Sequence, residues 1–346
     1  MKKIIVGVML FFLLAGVGMA SAEEKKNGTE YVIKIATIVP EMGSMAEMFQ
    51  NFKKDLSEKT HDKVKVIIYF GAVMGDETDI VRKMRLGQLQ GGGMTLLGLG
   101  QLCPASKVIE LPFLFNDYDE IDYVVMDKMR PAFDRLFEEK GAYLVGWYDT
   151  GFGYYFFKDP INDFDDIRKV KMVSFTGDQL FAESEKTVGF DNLVPLHISE
   201  TLTGLQTGLI NGTFAPFFAM VGLQWNTHVR YVLNQPISYS VAGLVIDKAF
   251  VDKMPPAYKT ALFDSMKKYE PTMKREIRRM EKDTYNSLLK RGLTQIPPDK
   301  AQPIIDEMKK RARPLYDKFI DQYYPSWLIS GILNTLAQYR QEKGTK

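Results

Sequence analysis

Between residues 31 and 196, short continuous apolar runs alternate with segments whose apolar residues recur every three or four positions, and this alternation restricts the chain to few folds. Residues 31–38 read as a buried strand. Ser44 with Glu47 then reads as a capping box opening a helix with Met45, Met48, Phe49, Phe52 and Leu56 inward. A second strand is expected at 64–70, a second helix at 76–89, and a third strand of a parallel sheet at 94–99. Asp117 and Glu120 cap a helix carrying Ile121, Val124, Val125 and Met129, which ends at Gly141 before a strand at 143–148.

A second run of the same kind follows. Strands are expected at 153–157, 170–175 and 193–196, with a helix at 177–187 capped by Thr176 and Gln179 and another from Ser199 to Gly208. Residues 214–225 fit a helix or a buried strand equally by periodicity. The last third differs. Met266, Tyr269, Met273, Ile277 and Met280 recur at helical spacing, as do Ile305, Met308, Ala312, Leu315 and Phe319, so long amphipathic helices are expected, the first kinked at Pro271. A chain of 346 residues has the length of two such α/β domains.

Charge excludes one class of function. The 45 basic residues nearly match the 43 acidic ones, which leaves no overall electrostatic grip for nucleic acid. The N-terminus reads as a signal peptide over residues 1–22: Lys2 and Lys3, an apolar run at 4–17, then Ala20-Ser21-Ala22, with cleavage after Ala22. No cysteine stands at that junction to accept a lipid, and Cys103, the only cysteine, can form neither an internal disulfide nor a cysteine-based zinc site.

Catalytic patterns are absent. His61, His197 and His228 lie far apart, and the chain has no H-E-x-x-H, G-x-S-x-G, P-loop or complete G-x-G-x-x-G; Gly98-Leu99-Gly100 lacks the third glycine and the acidic partner. The acidic groups at Asp117, Asp119, Glu120, Asp122 and at Asp163, Asp165, Asp166 stand at turn-to-helix junctions, where Asp satisfies free N–H groups, so no metal or cofactor is expected. Aromatics are the unusual feature: Gly151-Phe-Gly-Tyr-Tyr-Phe-Phe157 sits where the second run begins, and Phe214, Phe217 and Phe218 follow. Clefts at domain junctions are where apolar ligand sites concentrate.

Several segments, in order, resemble the solute-binding proteins of TRAP transporters, the tripartite ATP-independent periplasmic carriers of the DctP type. The turn Phe70-Gly-Ala-Val-Met-Gly75, Arg85-Leu-Gly87 and Glu110-Leu-Pro-Phe-Leu-Phe115 resemble motifs of the first half. Lys158-Asp-Pro-Ile161 with Asp165-Asp166-Ile167 and Val170-Lys-Met172 resembles "K-x-P-I…D-L-x-G-L-K-I", and Ser199-Glu200, Gly204-Leu-Gln-Thr-Gly208 and Asn211-Gly212 resemble "E-V-Y-x-A-L-Q-T-G-x-x-D-G".

The resemblance implies a two-lobed α/β fold of the periplasmic-binding-protein kind with a central cleft and no enzymatic activity. Lobe 1 would comprise residues 31–150 plus 239–291, and lobe 2 residues 151–238 plus 292–340. It implies a periplasmic location, a small-molecule ligand, TRAP membrane permease subunits as partners and an accessory periplasmic protein beside them.

Three departures from the family pattern define the expected site. Val173 stands where carboxylate-binding members carry an Arg, Gly153 where a second basic residue is common, and Phe214-Ala215-Pro216 where polar residues follow "D-G". Leaving a buried carboxylate unpaired costs roughly 3–5 kcal/mol, whereas about eight buried methylenes supply a micromolar ligand before ordering costs. The site is therefore expected to hold an apolar or amphipathic ligand against Gly153, Tyr155, Val173, Phe175, Phe214, Ala215, Phe217, Phe218, Trp225 and Tyr239. Gly153 is expected to leave the pocket wider. The alternatives are a carboxylate held by Arg82, Arg85, Arg168 or Lys171, and a secreted enzyme using the same cleft.

Overall fold

The alternating segments form one mixed sheet in a computed structural model that describes residues 30–344; the segment 1–22 and its expected cleavage after Ala22 lie outside the described residues. The strands are β1 (Tyr31–Thr37), β2 (Val64–Tyr69), β3 (Gly91–Thr95), β4 (Ala142–Phe157), β5 (Lys171–Phe175), β6 (Asn192–Leu196), β7 (Gly212–Ala215), β8 (Tyr231–Asp247) and β9 (Thr294–Gln295). Their order is β2-β1-β3-β8-β4-β7-β5-β6, with β9 alongside β8. Two parallel groups result, β2-β1-β3 and β7-β5-β6, and the antiparallel pair β4–β8 joins them.

The residues expected at 143–148 and 153–157 belong to one strand. β4 has 16 residues, and at about 3.4 Å per residue it is long enough to run through both groups. It is almost wholly buried, which is why the sequence shows no alternation there. Its glycines serve bulges rather than a chain reversal: the register with β8 shifts between Asp149 and Gly151 and between Gly153 and Tyr155, and Gly151 has φ +91°. Gly151 faces Ser240 and Phe152 faces Tyr239 across this pair.

Several local expectations are corrected. The third strand is Gly91–Thr95, and Leu96–Leu102 is a helix whose Leu97 N–H is accepted by the Thr95 hydroxyl at 3.2 Å. The strand's glycines allow neighbours to approach closely: a Cβ on Gly93 would lie 2.6 Å from the Phe49 ring. The Ser44–Glu47 box does not form, since helix Ser44–Lys59 follows Gly43 with no side-chain cap. Helix Gln179–Val188 is capped by Asp178, not Thr176. The segment opened by Ser199 divides into a 3₁₀ turn, Ile198–Glu200, and helix Thr201–Thr207. Residues 214–225 are both structures in turn, β7 and then helix Phe217–Gly222, with Pro216 at the junction. Pro271 kinks nothing; it occupies the first turn of a new helix, Glu270–Lys290, where its missing N–H has no partner to lose. Asp117 and Asp163 do cap helices, accepting from the N–H groups of Glu120 and Asp166.

Candidate functional site

The carboxyl ends of β1 and β3 face those of β5 and β7 across the middle of β4 and β8, and a cavity of about 290 Å³ lies between them. In α/β sheets this is where ligands collect.

One wall comes from the first parallel group. Thr37 and Thr95 end β1 and β3, and helix Ser44–Lys59 contributes Met45 and Phe49. Glu77 anchors this wall. Its carboxyl, fully buried in the first turn of helix Glu77–Arg85, accepts from the Thr95 N–H, the Thr95 hydroxyl and the Gly98 N–H, each at 2.8 Å. Burial pushes this carboxyl up to about 7 against the pull of those donors.

The opposite wall is aromatic. Trp225 stacks on Phe175 with ring centroids 6.4 Å apart, Phe175 on Phe181 at 5.2 Å, and Phe181 meets Phe214 at 5.4 Å. Local sequence sets this up: β5 ends at Phe175, Gly177 turns the chain at φ +89°, and Asp178 caps the next helix by accepting from the Phe181 N–H at 3.0 Å. Helix Phe217–Gly222 is tied down from behind, because Glu281 accepts from the N–H groups of Phe217 and Phe218 at 2.7 Å each.

Behind the cavity wall, buried Lys107 joins the two halves by donating to Asp178 at 2.5 Å and to Glu110, which also accepts from the Ser240 hydroxyl. Glu110 and Asp178 reach the cavity wall. The Thr150 side chain also lines it, and its buried hydroxyl has no partner among the described residues.

Of the ten residues expected at the site, the structure places Gly153, Phe175, Phe214, Ala215, Phe218 and Trp225 on the cavity wall. Four others pack elsewhere. Val173 is fully buried two residues below Phe175 on β5. The Tyr155 hydroxyl donates to Glu185 at 2.9 Å. Phe217 turns to Tyr154 and Tyr285, at 4.5 and 4.9 Å. Tyr239 donates to Asp149 at 2.5 Å, beside Arg278. Gly153 leaves no extra room, because a Cβ there would lie 1.9 Å from Cζ of Phe214: the phenyl ring fills the space.

The alternative cations also lie off the wall. Arg82 pairs with Asp79, Arg85 with the Gln101 carbonyl and Arg168 with Asp191, while Lys171 is exposed. Among the described residues lining the cavity there is no Lys, Arg or His.

Sequence reading missed Glu77, Glu110, Asp178, Lys107, Phe181 and Thr150. Lys107 and Glu110 carried a partial signal: three residues apart amid Val108, Ile109 and Leu111, they share one helical face as an ion pair, but the spacing is the same for a buried face and an exposed one. Glu77 carried none, because an acid in a first helical turn is ordinary on a surface.

Residues 35–322 match the model of bacterial extracellular solute-binding proteins, family 7, the DctP family. The chain belongs to that family. Family 7 consists of solute-binding proteins rather than enzymes. This family 7 chain is 27% identical over 164 residues to a solute-binding protein of Chromohalobacter salexigens, an alignment covering 47% of it and 48% of the relative. It is 25% identical over 215 residues to the C4-dicarboxylate-binding periplasmic protein DctP of Rhodobacter capsulatus, covering 62% and 64%. The chain thus spans about half to two thirds of the length of these relatives. A TRAP periplasmic solute-binding protein of Xanthobacter autotrophicus, solved with bound beta-D-galacturonate, superposes with a TM-score of 0.80 at 22% identity, covering 88% of this chain and 99% of that one. The two-lobed fold with long C-terminal helices is shared with such proteins.

Proposed function

We propose that this family 7 protein is exported behind residues 1–22 and serves as the periplasmic ligand-capturing subunit of a TRAP-type secondary transporter. It takes a small apolar or amphipathic molecule into the cavity and delivers it to membrane permease subunits, with an accessory periplasmic protein as a further partner. The observation that carries the ligand class is the cavity wall, which is mainly aliphatic and aromatic and has no cationic side chain among the described residues. A carboxylate taken from water into such a wall meets no partner charge. The galacturonate bound by the Xanthobacter protein is a carboxylate, so the reading separates this chain from that one in ligand chemistry while keeping the fold.

The lobes in this reading are residues 31–150 plus 239–291 and residues 151–238 plus 292–340, closing by a hinge over the ligand. Two contacts between them support closure: Lys107 with Asp178, and Asp76 accepting from the Ser199 hydroxyl at 3.1 Å. Mass spectrometry of compounds carried by the exported protein, followed by calorimetry, tests the ligand class; a compound without a carboxylate is expected. Tight binding of a short dicarboxylate, unchanged by Phe214→Leu or Phe218→Leu, would overturn it.

A further inference from the structure

The polar part of the cavity is one-sided. Glu77, Glu110 and Asp178 reach its wall, while the only cation bound to any of them among the described residues, Lys107, is buried behind them and shared between two. Three carboxyls therefore stand against one ammonium. Glu77 faces neutral donors only. Glu110 and Asp178 each accept two hydrogen bonds from the protein, about half of what a carboxylate can take. Thr150 is an independent indication of a ligand: the residue is nine-tenths buried, lines the same cavity and has a hydroxyl with no partner among the described residues. Opposite Glu77, Trp225, Phe175 and Phe214 supply aromatic surface, which attracts cations and repels anions.

We propose that the ligand is an amphipathic organic cation, an ammonium whose apolar body lies on the aromatic wall and whose N–H groups are taken up by the acidic side and the Thr150 hydroxyl. This inference rests on the reading of the cavity as the ligand site and names the ligand's charge. A cation also resolves the cost of Glu77, whose burial disfavours its ionised form; a positive neighbour restores it.

The test uses sets of three compounds with one apolar body and three heads: 2-phenylethylammonium, 2-phenylethanol and 3-phenylpropionate, and the corresponding hexyl and indolylethyl sets. Binding to the whole purified protein is followed by calorimetry at neutral pH. In at least one set the ammonium is expected to bind at least about tenfold tighter than the alcohol, with the carboxylate weakest. Glu77→Gln should shrink the ammonium-to-alcohol preference about tenfold. Thr150→Val, which keeps the side chain's shape, should weaken the ammonium about threefold to tenfold, and it serves where Glu77→Gln does not fold. Alcohols binding as well as ammonium compounds, with carboxylates excluded, would overturn the charge assignment and leave the apolar reading standing. Carboxylates binding best would overturn both. Failure of every ammonium compound to bind at about 10 mM would overturn the cation proposal.

Discussion

The two walls of the cavity are held by different physics. The wall at β1 and β3 hangs on hydrogen bonds to one buried carboxyl, Glu77, whereas the wall at β5 and β7 is a row of rings from Trp225 to Phe214 backed by packed core. A hydrogen-bonded wall fails at a single atom, because each donor orphaned in the interior carries its own desolvation penalty. A packed wall loses stability in proportion to the void that a trim leaves, little at a half-buried ring and more at an enclosed one, and it resists intrusion. Substitutions on the two sides should therefore differ in kind, and four measurements test the contrast.

The largest effect belongs to an intrusion behind the rings. Val173→Arg puts a guanidinium into a fully buried position off the cavity, and it should lower stability by about 3–5 kcal/mol in thermal or urea unfolding. A stable variant that gains carboxylate binding would instead put Val173 at the ligand. Next comes the anchor of the opposite wall: Glu77→Leu strands the Thr95 and Gly98 donors and should cost about 2–3 kcal/mol, read by the same unfolding.

A pH titration follows. Burial pushes Glu185 up to about 8, against the pull of the Tyr155 hydroxyl, and Glu77 and Glu281 up to about 7. A carboxyl whose folded value is raised gives stability that is complete below its unfolded value and is lost as pH rises through the folded one. The free energy of unfolding should accordingly fall between about pH 5 and pH 9, by about 1 kcal/mol or more for Glu185 alone, as read by urea unfolding across that range, and Glu185→Gln should flatten the upper part of that fall. A curve that rises over this range would show these groups ionised at little cost. The smallest effect is a trim: Phe218→Leu on the packed wall should leave folding nearly unchanged and weaken ligand binding about fivefold in calorimetry.

Legibility in the sequence followed the same division. The unit β1, helix Ser44–Lys59 and β2 could be read directly, because its apolar runs and the 3.6-residue period between them are set by neighbours along the chain. Period two puts Val173 and Phe175 on one strand face, but it carries no information about depth: of the two, Phe175, at the strand end, reaches the cavity. The space over Gly153 was misjudged for a related reason. What fills it is Phe214, brought alongside by the pairing of Tyr155 with Phe214 between β4 and β7, a contact across 59 residues that no local pattern encodes. Glu185 was invisible too, since its neighbour Tyr155 is 30 residues away in the chain.

The interlock of Gly153 with the Phe214 ring also constrains how the site can change over generations. A side chain cannot appear at 153 until the ring at 214 has shrunk, and shrinking the ring first opens a void against Phe181 and Tyr155 that costs about 2–4 kcal/mol. Either single step passes through a weakened protein. Descendants of this chain should then inherit the two residues as a unit, and any lineage that has regained a large residue at 153 should already show a small one at 214.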